Sequence, residues 1–106
     1  MKSLILGLIL VAAFPGAQAK RQFTGTITDS MCPEGDHSRM RMGPTDAECT
    51  IACIDVHGAM YVLYDGKNTY TLSDQKTPEK FAGQKVTVTG TLDANTIKVE
   101  SISAAK

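Results

Sequence analysis

From residue 22 onward the chain alternates apolar and polar positions. Residues 22–29 set Phe23, Gly25 and Ile27 against Thr24, Thr26 and Thr28, and this period of two predicts a strand. Residues 59–65 are apolar on both faces and rich in aromatic and β-branched types, which predicts a buried strand. Asp65-Gly66 predicts a hairpin turn. Residues 68–73 then alternate Tyr70 and Leu72 against Thr69 and Thr71. Residues 77–83 read as one short helix, with Thr77 as its cap, Pro78 at the first helical position and Gly83 at its end. Residues 84–92 alternate Val86, Val88, Gly90 and Leu92 with Lys85, Thr87, Thr89 and Thr91. Asp93-Ala94-Asn95 turns the chain. Residues 96–102 place Ile97 and Val99 against Lys98 and Glu100, after which a bulge shifts Ile102.

The order is strand, long insert, hairpin, short helix, hairpin. A small immunoglobulin-like sandwich wants more strands. The order fits an all-β fold with small inserted helices: a five-stranded, OB-fold-like, partly open Greek-key barrel. The insert, residues 30–58, lies between strands one and two and outside the five-strand core. It is too long for an ordinary connection, and such loops are usually functional or carry structure of their own. Its first half is polar and turn-rich. In its second half Thr45 or Asp46 caps a helix over residues 47–56, with Gly58 near its end.

The first nineteen residues follow a different pattern. Lys2 is followed by an apolar run from Leu4 to Phe14, then Pro15-Gly16, then Ala17-Gln18-Ala19. That is the layout of a signal peptide with an A-x-A cleavage site. The run is too short to span a bilayer, which takes about 20 residues. The expectation is export to the periplasm or beyond, cleavage after Ala19, and one mature domain over residues 20–106 with no membrane anchor. Without Lys2, ten Lys/Arg face eleven Asp/Glu. That near-neutral balance argues against a nucleic-acid partner, which needs a basic stripe. A domain this small gains from a covalent or metal staple.

All three cysteines, Cys32, Cys49 and Cys53, and both histidines, His37 and His57, lie in the insert. Three thiols do not all pair within one chain, so one is free, links two chains, or is a ligand. Cys49 and Cys53 are one helical turn apart, with Cβ atoms about 5–6 Å apart. A disulfide wants Cβ atoms about 3.5–4.5 Å apart. Two thiolates at this spacing chelate one metal ion instead, and Cys32 and His37 fold back over them from the loop. The set Cys32, His37, Cys49 and Cys53 suits tetrahedral zinc or cuprous copper. Met31, Met40 and Met42 add soft sulfur and tilt the choice toward copper. The alternative is a disulfide from Cys32 to Cys49 or Cys53, natural in an oxidising compartment. A third alternative is a thiol-redox protein using the remaining cysteine, with Cys49 near the helix N-terminus.

Asp29 and Ser30 have no histidine at a fixed spacing to make a triad and read as turn residues. Phe23, Tyr61, Tyr64, Tyr70 and Phe81 read as core before stacking platform. With neither an activated nucleophile nor a cofactor fingerprint in the sequence, a non-catalytic binding or scaffold module for a small ligand or protein is favoured over an enzyme. A leftover thiol makes the state either monomer or disulfide-linked dimer.

Two resemblances follow from these residues. Cys49, Cys53, His57 and Met60 resemble the ligand run of the binuclear copper site in cytochrome oxidase subunit two. There the run is a loop on a larger cupredoxin sandwich; here it is predicted to be a helix feeding a strand. More broadly, Gly25, Ile27, Asp29, Cys32, His37, Cys49, Cys53, Gly58, Ala59, Tyr61, Val62, Leu63, Val86, Val88 and Gly90 resemble a pattern of small secreted bacterial proteins of uncharacterised function. The pattern is Gly-x-Ile-x-Asp-x-x-Cys, a His, Cys-x3-Cys, a Gly-Ala-x-Tyr-Val-Leu strand and a Val-x-Val-x-Gly hairpin. The resemblance implies an OB-type barrel and an exported location, and it brings no activity.

Overall fold

The computed structural model describes residues 19–106. The leader expected over residues 1–19 therefore lies, except for Ala19, outside the described residues. Five strands form: β1 (Arg21–Asp29), β2 (Tyr61–Tyr64), β3 (Thr69–Leu72), β4 (Lys85–Asp93) and β5 (Thr96–Ala104). They close in the order β1-β2-β3-β5-β4. All pairings are antiparallel except the seam between β3 and β5. That seam is parallel and registers only Thr71 with Thr96 and Leu72 with Ile97. The order is that of the expected OB-type barrel. The ring is closed rather than partly open, and its closure is thinnest at this seam.

The alternation seen in the sequence is the inside–outside alternation of the barrel. Phe23, Ile27, Tyr61, Leu63, Leu72, Val86, Val88 and Ile97 are buried together as the core. Tyr64, Tyr70 and Phe81 are half-buried, and the Phe23 and Tyr70 rings meet at 5.4 Å between centroids. The expected bulge is present. Thr89 faces Ser101 while Gly90 faces Val99, so Glu100 is the extra residue, and Ile102 regains the inner face. Gly25 is required by close approach, because a Cβ there would collide with the Tyr64 carbonyl.

The segment between β3 and β4 departs from expectation. It is a 3-10 helix, Thr77–Phe81, and Thr77 is not its cap. Asp74 starts the turn instead, its Oδ1 accepting from the backbone of Lys76 at 2.9 Å and Thr77 at 3.0 Å. The helix in the insert, α1, spans Asp46–His57. Thr45 caps it, accepting from the Glu48 backbone at 3.1 Å while its hydroxyl reaches Glu48 Oε2 at 3.3 Å. Gly58 ends it in the left-handed conformation, φ 66°, where glycine is unstrained. Ala47, Ile51 and Ile54 recur at helical spacing and pack on the core. The insert stands outside the five strands, but one face of α1 packs against their core, because this apolar stripe needs the barrel to cover it.

Candidate metal centre

β1 ends in Asp29, and its carboxylate serves two purposes. Oδ1 accepts from the backbone of Met31 at 3.0 Å and of Cys32 at 3.1 Å, the turn chemistry expected of this residue. The turn carries Cys32 back over the strand end, where Asp29 and Cys32 form an isolated bridge. The Thr28 hydroxyl holds the Cys32 carbonyl at 2.8 Å. Oδ2 faces the other way and lies 3.9 Å from His37 Nδ1, with both side chains buried. Neither atom has a hydrogen-bond partner. At that separation they do not bond each other, and buried polar atoms without partners are costly.

Cys32 completes the group. One ligand atom each from Asp29, Cys32 and His37 lies within 4.8 Å of the others. Oxygen, nitrogen and sulfur together match the donors of zinc, which spaces N and O ligands roughly 3.3 Å apart in a tetrahedron. An ion between Oδ2 and Nδ1 would draw them together and relieve both orphaned atoms.

Of the residues expected to converge, Cys32 and His37 do so, with Asp29 as their third member. Cys49 and Cys53 lie on the buried face of α1. Cys49 Sγ accepts from Met42 N at 3.3 Å and donates to the Met40 carbonyl at 3.4 Å. Burial pushes the Cys53 thiol up to about 11, with Asp29, Cys49 and Cys32 adding negative charge around it. Burial also raises Cys32, followed by the charges of Asp29, Cys49 and Asp36. Asp29 and the three thiols thus lie close enough to feel one another's charge. A cation there would offset their repulsion when they ionise.

The alternative disulfide is not formed: Cys32, Cys49 and Cys53 are free, buried thiols. The Asp29 turn directs Cys32 toward His37, and the loop backbone engages Cys49. The upward shifts of Cys32 and Cys53 run opposite to those of an activated thiol nucleophile. His57 and Met60 are exposed and do not join the group, so the cytochrome-oxidase-like run is not assembled as a ligand set here. Asp29 is the residue that sequence reasoning assigned only to turn chemistry. Its signal was present in Asp-x-x-Cys, since a carboxylate that turns the chain with one oxygen keeps the second for another task.

Fold and cluster together define a small OB-type β-barrel with a candidate metal centre in its first connection. Residues 57–105, from the end of α1 through β5, match a family described as "Protein of unknown function (DUF5818)". That match covers the barrel from β2 onward and leaves out β1 and the Cys-bearing insert. No curated protein and no solved structure matches the chain.

Proposed function

We propose that the chain is exported and that its mature barrel, residues 20–106, is a non-catalytic binding or scaffold module whose insert holds one zinc ion. Asp29, Cys32 and His37 supply three ligands. Cys49 and Cys53, buried and close enough to interact electrostatically with Cys32, could supply a fourth. The observation that carries the reading is the buried pair of partnerless atoms, Asp29 Oδ2 and His37 Nδ1, facing each other beside Cys32. The metal would act as the staple that so small a domain lacks. The export reading is supported by the A-x-A site at Ala17-Gln18-Ala19 and by β1 beginning just beyond it, at Arg21. Burial of all three thiols favours a monomer, because a link between chains needs an accessible sulfur.

Native and denaturing mass measurement of protein taken from the periplasm tests this. The expected result is a native mass raised by one zinc, and three alkylatable thiols after denaturation with chelator. Asp29→Asn keeps the turn-accepting oxygen and replaces the other. It should fold and lose about 10- to 100-fold in zinc affinity, as should His37→Ala. A mass short of two hydrogens with no metal, or zinc affinity unchanged in both variants, would refute the proposal.

A further inference from the structure

Among the described residues four large apolar side chains are exposed, and three of them are methionines: Met31, Met40 and Met60. Met31 and Met40 line one cleft of about 470 Å³ together with Cys32. Cys32 keeps 6% of its surface exposed, whereas Cys49 and Cys53 keep none. The cleft wall also carries Glu34, Asp36 and Arg39, a net negative lining that favours a cation.

The backbones of the three sulfur-bearing residues are each held by a hydrogen bond, in two separate sets. Met31 N and Cys32 N both bond Asp29 Oδ1, and the Met40 carbonyl takes the Cys49 thiol. Two thioethers and a thiol therefore line one solvent-facing cleft, on backbone held by local hydrogen bonds. Thioether sulfur is a soft donor outside zinc's usual ligand set of Cys, His, Asp and Glu, and with thiolate it suits cuprous copper.

We propose that Met31, Cys32 and Met40 form a cuprous-ion site in this cleft, distinct from the zinc centre but sharing Cys32 with it. Binding is ligand exchange without electron transfer. In the metal-free protein the Cys32 thiol loses its proton to solvent as its sulfur binds copper; in the zinc-loaded protein the Cys32 thiolate passes from zinc to copper with no proton released, and copper stays +1 in both cases. With Cys32 withdrawn, zinc keeps only Asp29 and His37 of its three ligands and is released. The exchange half of this proposal rests on the zinc reading above; the cuprous site does not.

The test uses the protein as isolated after export, reduced and stripped of metal, with cuprous ion supplied from a chromogenic chelator. One cuprous ion should be taken up per chain, and zinc-loaded protein should release its zinc one for one. Met31→Leu with Met40→Leu conserves volume at exposed positions, so the fold should persist. That double variant should lose about tenfold or more in cuprous affinity while zinc affinity holds. X-ray absorption at the copper edge should show a sulfur shell without nitrogen or oxygen. Unchanged cuprous affinity in the double variant would overturn the site, as would a shell containing light atoms. Zinc and copper bound together on one chain would overturn the exchange. If zinc fails to bind at all while methionine-dependent cuprous uptake persists, the zinc reading falls and this site stands.

Discussion

At the scale of single residues, burial sets the acid–base behaviour of the centre. Folded Cys53 keeps its proton to about pH 11, against an ordinary value of 9.0. Burial raises Cys32 from the same ordinary value and Tyr61 from 10.0. Between the unfolded and folded values the native chain binds more protons than the unfolded one, so unfolding releases protons and rising pH promotes it. The stabilisation is whole below about pH 9 and is lost toward about pH 11. Thermal melts of the metal-free protein should therefore fall across that window, and Cys53→Ala should flatten the fall. A melting temperature flat from about pH 8 to 11 would show that these thiols do not differ between the two states. Metal binding acts in the opposite direction on the same groups. It needs the Cys32 thiolate, so zinc affinity should climb with pH below the thiol's raised value.

Among the elements, β1 carries the most. It pairs on one side with β4 from Arg21 to Thr26 and on the other with β2 from Thr26 to Asp29. The overlap lies next to Gly25, where a side chain would collide with the Tyr64 carbonyl. Gly25→Ala should cost about 1–3 kcal/mol, the range for forcing extra volume into a packed interior, read from the urea midpoint. A midpoint equal to that of the parent would mean β2 yields without loss. The strain would also reach the metal centre, because the same strand ends in Asp29. α1 reaches the centre by a different route. Its apolar stripe, Ala47, Ile51 and Ile54, seats it on the barrel, and only then do Cys49 and Cys53 come under the loop.

For the molecule as a whole, barrel and insert differ in what holds them. The barrel has a continuous ladder and an apolar core. The loop between Cys32 and Thr45 has few bonds: Arg41 to Asp46 at 2.6 Å and Ser38 N to Asp36 at 3.0 Å are local, and Thr69 of β3 donates to the Pro33 carbonyl at 2.9 Å. Chelating the zinc should therefore raise hydrogen exchange over residues 30–45 and leave β4 and β5 protected. Equal protection with and without metal would remove the staple role. Loss of protection throughout would make the metal a condition for folding the entire domain.

The sequence by itself determined the barrel. Period-two alternation, the Asp65-Gly66 turn, and the displaced Ile102 are local signals, and a closed small sheet has few other ways to bury those faces. It also placed all three cysteines and both imidazoles in one insert, and offered Thr45 or Asp46 and Gly58 as the helix ends. Only the tertiary structure decided which of those groups meet. Whether the Asp29 carboxylate stops at turning the chain depends on where His37 returns, eight residues later, and nothing in the intervening loop has a period to read. The seating of α1 was equally a matter of three dimensions, because a helix shows which face is apolar but not what will cover it. The candidate ligand set changed for that reason: the shared face of Cys49 and Cys53 is a property of one helix, whereas Asp29, Cys32 and His37 are brought together by the path of the chain.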